Sequence, residues 1–255
     1  MNFFSPIGRL FLRFIEDAGG IFLFFWQSLI FTFTPPLRFR LFLKHMEFIG
    51  VRSWLVVALT ALFSGMVTAY QVHHALVKFG GQSVLGGVVA LTLTRELGPV
   101  LSAIMVVARA GSAISAEIGS MRITEQIDAL KIMAVNPIQY LVTPRLWAAM
   151  IVVPLLTAMA DLIGIAGGYL IGVLVLGIDH GIFVARMQDM VELIDIMSGI
   201  YKSIFFGAFL VTVCCYKGYF AKGGAEGVGR ATTEAVVISS VGILISDYVL
   251  TTLFF

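Results

Sequence analysis

Long apolar runs separated by short polar segments make up most of the chain. A helix needs about 20 apolar residues to cross a bilayer at 1.5 Å per residue, and five runs are of that order. They cover residues 53–72, 84–108, 146–176, 197–216 and 235–255. The third run is too long for one straight crossing and too short for two crossings with a turn. Pro154, Asp161 and the pair Gly167-Gly168 within it predict a single helix that is kinked or extends beyond the membrane.

The N-terminal segment has a different pattern. An apolar run over residues 18–33 follows Arg9 and Arg13 and ends at Thr34-Pro35-Pro36, without the small-residue cleavage site of a signal peptide. Because this run is short for a span, we expect a helix on the membrane surface, with Trp26 in the bilayer and the arginines at the phosphates. A tilted span is the alternative. Residues 1–45 are therefore predicted to form an interfacial segment, and residues 46–255 a five-helix core, within one domain.

Composition supports an all-α integral membrane protein. Apolar residues make up 59% of the chain, against ~45–50% in soluble domains, and no polar stretch is long enough to form a soluble catalytic domain. The net charge of +2 gives no indication of nucleic-acid binding. The two cysteines, Cys214 and Cys215, are adjacent within an apolar run and are expected to be packing residues. No spacing typical of a metal site occurs.

The distribution of basic residues predicts the orientation. With the N-terminus inside, Lys78 and Arg186 are the only ones of the 17 lysines and arginines expected to face outside. Arg95 and Lys202 lie within the spans, and all the others face inside. The outer loop at residues 177–196 is acidic instead. This asymmetry predicts a cytoplasmic N-terminus and a C-terminus on the opposite side.

A charged pair lies in the middle of the second run, in the string Arg95-Glu96-Leu97-Gly98-Pro99. A charge at this depth costs at least ~2.5–3.5 kcal/mol on insertion scales, so such residues usually have a function. Adjacent residues on a helix point about 100° apart, so Arg95 and Glu96 each need a partner of their own. Pro99 removes a backbone hydrogen bond and, with Gly98, predicts a break in the helix. The arrangement is typical of a protein that holds or moves a polar group within the membrane.

Counting residues along the predicted helices gives the depth of the other intramembrane charges. Asp161 and Asp247 fall near the level of Arg95, and Lys202 falls closer to the outer surface. We expect Arg95, Asp161, Lys202 and Asp247 to form an intramembrane charge network. An ion pair of Arg95 with Asp161 or Asp247 that only holds helices together is the structural alternative.

The segment between the second and third runs has a helical pattern of its own. Its apolar positions at helical spacing are Ile123, Ile127, Leu130 and Ala134, with polar residues between them. The pattern alone is equally compatible with a solvated connector on the bilayer and with a helix that docks into a groove of a cytoplasmic partner. The chain has no phosphate-binding loop, because the glycine-rich string from Gly223 to Arg230 lacks the lysine and the preceding strand. Active transport would therefore need a separate ATPase.

Several strings resemble the MlaE (YrbE-type) permease family from about residue 45 to the C-terminus. The central strings are Arg95-Glu-Leu-Gly-Pro99, Ala108-Arg-Ala-Gly-Ser-Ala113, Ala116-Glu-Ile-Gly-Ser-Met-Arg122, Thr124-Glu-Gln-Ile-Asp-Ala-Leu130, Asn136-Pro137 and Pro144-Arg145. The last inner loop matches through Gly218-Tyr219, Gly223-Gly224 and Gly227-Val-Gly-Arg-Ala-Thr-Thr233.

The resemblance implies a homodimeric permease of an ABC transporter that carries phospholipid between bacterial membranes, located in the inner membrane. The implied partners are an MlaF-like cytoplasmic ATPase, often an MlaB-like STAS protein, and a periplasmic MlaD-like MCE ring. No cofactor is expected on this chain, since ATP and magnesium would bind the ATPase. Residues 117–130 correspond to the family's coupling helix. The implied coupling residues are Glu117, Met121, Arg122, Glu125, Gln126, Asp128 and Leu130.

The predicted lipid site combines an apolar groove with a few polar groups, as ligand cavities usually do. It comprises Leu62, Met66, Ala69, Tyr70, Leu91, Arg95, Glu96, Leu97 and Val100. We expect Glu96 to face a cavity between the two copies. Tyr70-Gln-Val-His-His74 is more polar than the corresponding segment of well-known family members, which leaves another lipid or a sterol open as the substrate.

Two other functional classes remain as alternatives. A self-contained secondary transporter would use Arg95, Glu96, Asp161 and Asp247 as a proton or ion relay. An intramembrane enzyme has little support, because no Ser/His or metal constellation is apparent and His45 and His180 flank opposite membrane faces. A co-purifying ATPase would distinguish the ABC permease from the secondary transporter.

Overall fold

The computed structural model describes residues 4–34 and 38–254, and most of these residues are helical. The helices are α1 (Phe4–Ile30), α2 (Phe39–Val77), α3 (Gln82–Ile123), α4 (Gln126–Ile132), α5 (Ile138–Val175), α6 (His180–Met190), α7 (Leu193–Tyr219) and α8 (Gly224–Phe254). Five of them, α2, α3, α5, α7 and α8, are long and apolar enough to cross a membrane. The predicted all-α class is therefore confirmed for the described residues, and the five candidate membrane helices agree in number with the five predicted spans.

The helices extend well beyond the predicted apolar runs. The second span was expected to end at Ala108, but α3 continues to Ile123, and α8 begins at Gly224 rather than at residue 235. With 42 residues, α3 is about 63 Å long, roughly twice the thickness of the hydrocarbon layer. Polar residues after Ala108 end the apolar run without ending the helix, because they do not prevent backbone hydrogen bonding. The third run forms the single helix α5, with Pro154 inside it, as predicted.

The N-terminal helix is longer than predicted. Helix α1 begins at Phe4, ahead of the expected run, and is not among the five candidate spans. Phe24 is buried against the rings of Tyr216 and Tyr219 on α7, whereas Trp26 is half exposed. This mixture of buried and exposed apolar residues is compatible with the predicted surface helix, which stays a prediction. Pro35, Pro36, Phe255 and the side chains of Arg9 and Arg13 lie outside the described residues.

Helix α3 lies at the centre of the arrangement. Its first part packs against α2 and α6, and its last part packs against α7 and α8, while α5 lies between α2 and α7. Helices α2 and α5 approach most closely at Gly65 and Gly164, where a Cβ on Gly65 would overlap the Gly164 backbone. Gly168 and Gly172 of α5 also permit close packing, since Cβ atoms there would press on Val89 and Phe183.

Cys214 and Cys215 are free and fully buried within α7. Cys214 lies against Gly111 of α3, where an added Cβ would come within 2.9 Å of its sulfur. The expectation that the two cysteines are packing residues is confirmed.

The polar segment after α3 folds differently from the expected single amphipathic helix. The chain reverses at Glu125, whose φ of 59° is left-handed, and the seven-residue α4 follows. Ala134 was placed on the amphipathic helix but lies beyond it, also with a positive φ. Ile127 is fully buried and anchors α4 in the core, so the predicted helical spacing is realised only over residues 127–130.

Candidate functional site

The helix α3 continues through the predicted break at Gly98-Pro99, but it is locally irregular there and provides a binding position for a cation. Residues Leu93–Leu97 form a π-helical turn, followed by Pro99. Because Pro99 has no N–H, it cannot donate to the carbonyl of Arg95 four residues earlier. The Lys202 ammonium of α7 donates to this carbonyl instead, with an Nζ–O distance of 2.8 Å. π-Helical turns of this kind occur frequently at functional sites.

Lys202 is the centre of a buried ion cluster that joins α3, α7 and α8. Its side chain is 0% exposed, and its Nζ lies 3.0 Å from both Glu96 Oε2 and Asp247 Oδ1. The Thr251 hydroxyl lies 2.7 Å from Nζ and 3.1 Å from Glu96 Oε1. A buried ammonium is tolerated only where several acceptors replace its water shell. This one donates to the Arg95 carbonyl, Glu96 and Thr251, and Asp247 adds a second carboxylate as an ion-pair partner. The predicted association of Lys202 with Asp247 is thus observed.

Arg95 extends the ion cluster to the start of α7. Its Nε and one terminal nitrogen each lie 2.6 Å from Asp195 Oδ1, and Asp195 is fully buried. The other oxygen, Oδ2, accepts from the backbone N–H of Glu192 at 2.8 Å and so caps α7. Asp195 therefore has two roles: one oxygen binds Arg95, and the other stabilises the first turn of α7.

These contacts correct the expected pairings. Arg95 was expected to pair with Asp161 or Asp247, but its salt bridge goes to Asp195, which was assigned to the outer loop. Lys202 was placed nearer the outer surface than Arg95, yet its Nζ reaches the Arg95 carbonyl. The predicted depth of Lys202 relative to Arg95 was wrong because the two helices do not start at the same level. Helix α3 starts 13 residues before Arg95, whereas α7 starts nine residues before Lys202, so the N-terminal end of α3 extends further than that of α7.

Asp161 is separate from the ion cluster. It lies on α5, is 8% exposed, and packs against Gly98 of α3, where a Cβ would overlap its Oδ1. Within the described residues, this oxygen has no hydrogen-bond partner. Of the predicted charge network, the structure thus brings together Arg95, Lys202 and Asp247, with Glu96, and leaves Asp161 in a different helix interface.

The ion cluster is partly open although its centre is buried. The side chains of Arg95 and Glu96 are 31% and 36% exposed, in contrast to Lys202 and Asp195. An amphiphilic ligand could therefore reach one positive and one negative group without displacing the buried ammonium.

The other predicted lipid-site residues differ in exposure. Tyr70 is exposed, and Leu62, Met66, Leu91 and Leu97 are partly exposed. Ala69 and Val100 are buried in contacts within the chain. An exposed apolar stripe runs along α2 beside them, formed by Leu55, Leu59, Phe63 and Val67. Lipid binding by these residues stays a prediction, with Ala69 and Val100 forming part of the supporting packing.

The predicted coupling residues form two ion-pair systems. Arg122 of α3 and Lys131 of α4 contact Asp128 at 3.0 and 2.9 Å and hold α4 against the end of α3. The hydrogen bond from Lys131, aided by Arg122, lowers the pKa of Asp128. Glu117 lies 2.9 Å from Arg145, whose side chain is buried at the start of α5. Glu117 therefore helps to hold α3 against α5.

The remaining predicted coupling residues surround α4. Glu125 and Gln126 are exposed at its start, whereas Met121 and Leu130 are partly buried against the core. The exposed surface also includes Ile132 and Met133, which are large apolar residues. This end therefore exposes a mixture of polar and large apolar side chains.

Sequence reasoning missed two members of the ion cluster, Asp195 and Thr251. The pattern Glu192-x-x-Asp195 ahead of an apolar run is an acidic variant of a capping box and places the start of α7 at residue 193. Thr251 lies four residues after Asp247, on the same helix face. In the described part of the chain, no group of three or more His, Cys, Asp or Glu residues could hold a metal ion.

Comparison with known proteins identifies the family. The family described as Permease MlaE matches residues 42–253. A probable ABC transporter permease protein of Rickettsia felis is 44% identical over 255 residues, which is 100% of this chain and 98% of the relative. The intermembrane phospholipid transport system permease protein MlaE of Haemophilus influenzae is 39% identical over 258 residues, covering 100% and 98%.

A plant protein is also similar. The chloroplastic protein TRIGALACTOSYLDIACYLGLYCEROL 1 of Arabidopsis thaliana is 40% identical over 219 residues, covering 86% of this chain and 63% of the relative. The family match spans the five candidate membrane helices and includes the ion cluster, and the bacterial alignments also include the N-terminal segment. This chain is a multi-pass membrane permease and belongs to the MlaE family.

Proposed function

We propose that this chain is the transmembrane subunit of an ABC transporter that moves phospholipid between the inner membrane and a periplasmic MCE-domain partner. A separate cytoplasmic ATPase would drive it. The observation that carries this proposal is the partly open ion cluster at Arg95 and Glu96, within a helical bundle that exposes many large apolar side chains. The name of the Haemophilus relative, a phospholipid transport permease, supports the same substrate class.

The ion cluster and the stripe on α2 match the two parts of a phospholipid. The partly exposed guanidinium of Arg95 is a cation of the kind that attracts a phosphate, and the apolar surface of α2 suits acyl chains. Because Lys202 and Asp195 are buried and already paired, they preorganise Arg95 and Glu96 rather than contact the ligand. Such fixed polar groups would orient the headgroup while the chains remain in an apolar environment.

A second copy of the chain is proposed to cover α2 or α8. These two helices bury the smallest share of their residues among the five spans and expose many large apolar side chains. In a homodimer, the partly open side of the ion cluster would face a cavity between the copies. That cavity would open outward, toward the MCE ring.

The end of the molecule that carries α4 is proposed to face the cytoplasm and dock on the ATPase. This end has most of the basic residues, as a cytoplasmic face should, and α4 presents Glu125 and Gln126 there. ATP and magnesium would bind the ATPase, and a STAS-domain protein would bind the ATPase as well. Movement of α4 would reach the ion cluster through α3, which is connected to both.

The relay alternative is less well supported by the geometry. A proton relay through Arg95, Glu96, Asp161 and Asp247 requires these groups to be linked. Asp161 lies in another interface, and Glu96 and Asp247 share the Lys202 ammonium. The arrangement is that of a paired cluster beside an apolar surface, which favours amphiphile binding.

Photocrosslinking in the assembled complex tests this proposal. A photoreactive residue at Met66 should capture phospholipid, and the yield should change at least several-fold between the nucleotide-free complex and the complex held with ATP and a trapping analogue. The control is Leu162 on α5, whose exposed side chain should capture bulk lipid equally in both states. If no ATPase co-purifies, or if the yield at Met66 does not respond to nucleotide, the proposal fails.

A further inference from the structure

A cavity of about 310 Å³ lies where the end of α1 meets the starts of α2 and α5, and we call it the N-terminal cavity. Its volume falls at the lower end of the range of ~300–1,000 Å³ for ligand sites. Its walls are mostly apolar and include Phe31 after α1, Phe39 and Phe42 of α2, and Trp147 and Ile151 of α5. None of the described residues that line it belongs to α3, α7 or α8, so the cavity is separate from the ion cluster.

Hydrogen bonds between α5 and the end of α1 hold two walls of the N-terminal cavity together. The indole Nε1 of Trp147 donates to the Thr32 hydroxyl at 2.8 Å. The side-chain amide of Gln139 donates to the Thr34 carbonyl at 2.7 Å. Both donors lie in the cavity wall, and both are already paired within the chain. They therefore shape the cavity, and a ligand would have to be held by other groups.

Arg38 is the one charged side chain among the described residues that line the N-terminal cavity. Its guanidinium lies over the ring of Tyr140, 4.3 Å from the centroid, and this stacking leaves the N–H groups at the edge of the guanidinium plane available. In the part of the chain that the structure describes, no carboxylate forms a salt bridge with it. Arg95, Arg122 and Arg145, in contrast, each have a carboxylate partner. A positioned cation without an acidic neighbour, at an apolar cavity, favours an anionic group.

The N-terminal cavity continues into an apolar surface of α5. Ile151 lines the cavity and is 42% exposed, and Leu155, one turn further along the same face, is 62% exposed. Trp147 lies at the start of the apolar run over residues 146–176, where aromatic residues mark the membrane surface. The cation therefore lies at the level of lipid headgroups, and the surface that leads away from it lies at the level of acyl chains. This order of a charge and an apolar track matches an anionic amphiphile in the bilayer.

We propose that the N-terminal cavity binds a resident phospholipid with a net negative headgroup, distinct from any lipid that the protein transports. The phosphate pairs with Arg38, and one acyl chain lies between Phe42 and Trp147 and continues along Ile151. A zwitterionic headgroup is disfavoured, because no acidic side chain among the described lining residues can pair with its ammonium group. The bound lipid fastens the end of α1 to α2 and α5. This inference does not depend on the transported substrate or on the ATPase.

The fluorescence of Trp147 reports on the occupant of the cavity. The chain has three tryptophans, and Trp26→Phe with Trp54→Phe, both at half-exposed positions, leaves Trp147 alone. This full-length protein in detergent is titrated with phosphatidylglycerol that carries brominated acyl chains, and separately with equally brominated phosphatidylcholine. Since one arginine at a membrane surface contributes about fivefold to the binding of an anionic lipid, half-maximal quenching should need about fivefold less phosphatidylglycerol. Equal concentrations of the two lipids at half-maximal quenching would overturn the proposal.

Two arginine variants of the single-tryptophan protein assign this preference to the cavity. Arg38→Gln should abolish the preference for phosphatidylglycerol. Arg40→Gln removes the same charge from an exposed position on α2 that does not line the cavity, and it should retain the preference. A preference that both variants lose equally would be a general attraction to the basic surface, and the proposal would be wrong.

Imaging provides a measurement that needs no variant. A high-resolution cryo-EM map of the complex in nanodiscs that contain phosphatidylglycerol should show a headgroup density next to Arg38 and a chain-like density between Phe42 and Trp147. Density of a polypeptide from a partner subunit in this position would assign the cavity to a protein contact and overturn the proposal. A map without density there would contradict it as well.

Discussion

The ion cluster around Lys202 and the network around Asp128 are built from the same kinds of side chain in opposite surroundings. Each joins neighbouring helices through a carboxylate and basic groups at about 3 Å. Lys202 and Asp195 are fully buried, whereas Arg122, Asp128 and Lys131 are between 34% and 50% exposed. Exposed pairs contribute little to folding because water competes for them, but removing one partner of a buried pair leaves an uncompensated charge. We therefore expect the buried cluster around Lys202 to be needed for folding, and the exposed network around Asp128 to contribute little to it.

The largest effect is expected for Lys202→Met. This change leaves Glu96 and Asp247 next to each other in the membrane without their shared cation, and breaking a buried pair costs about 3–5 kcal/mol. We expect a strong loss of folded protein, measured by size-exclusion chromatography and thermal unfolding in detergent. Lys222→Met, the same change at an exposed position, is the control. If the Lys202→Met protein were as stable as this control, burial would not explain a difference in stability between the Lys202 cluster and the Asp128 network.

The next largest effect is expected for Asp195→Asn. Asparagine can still cap α7, but it removes the charge that holds Arg95, and a hydrogen bond to a charged group contributes up to about 3 kcal/mol. The melting temperature should fall, and lipid crosslinking should fall with it because Arg95 loses its orientation. Asp189→Asn changes a largely exposed aspartate nearby and should affect neither measurement. Loss of stability with unchanged crosslinking would mean that Asp195 acts only as a cap.

Glu117 and Glu125 sharpen the comparison, since both are predicted coupling residues but only Glu117 has a buried partner. Glu117→Lys places a cation next to buried Arg145 and should destabilise the permease by about 1.5 kcal/mol, the lower end for a charged hydrogen bond. Glu125→Lys should leave the melting temperature unchanged and weaken ATPase association severalfold in pull-down assays. If Glu117→Lys and Glu125→Lys had equal effects on the melting temperature and on ATPase association, the distinction between a structural Glu117 and a docking Glu125 would be wrong.

The smallest effect on folding is expected at Asp128. Lys131 and Arg122 lower its pKa, so its contribution is present above the ordinary aspartate value of about 3.9 and is lost as the pH falls through the lowered value. Between pH 6 and 8, Asp128→Asn should therefore leave the melting temperature nearly unchanged and the helix content constant by circular dichroism. Any loss should appear in the docking of α4, measured as faster hydrogen exchange over residues 126–132. A large drop in melting temperature would place Asp128 with the buried cluster.

The sequence was sufficient for the number of candidate spans and for the irregularity of α3 before Pro99, because apolar run length and the chemistry of proline determine them locally. It was insufficient for the partners of Arg95 and Lys202. Those depend on how far α3 and α7 extend at the same end and on how each helix is rotated, which are properties of packing. The ends of α3 and α8 were missed for another reason, since hydropathy reports the membrane boundary while backbone hydrogen bonding continues beyond it.

The Lys202 cluster also has a consequence for biosynthesis. Its members are made in the order Glu96, Lys202 and Asp247, so α7 is available for insertion before α8 is complete. A lysine at the centre of an inserting helix opposes insertion by about 2.5–3.5 kcal/mol. Glu96, already in place on α3, is then the only one of the two carboxylates available to neutralise it. If the helices insert in the order of synthesis, Glu96 is the first carboxylate that can pair with Lys202, and Asp247 then joins the same ammonium.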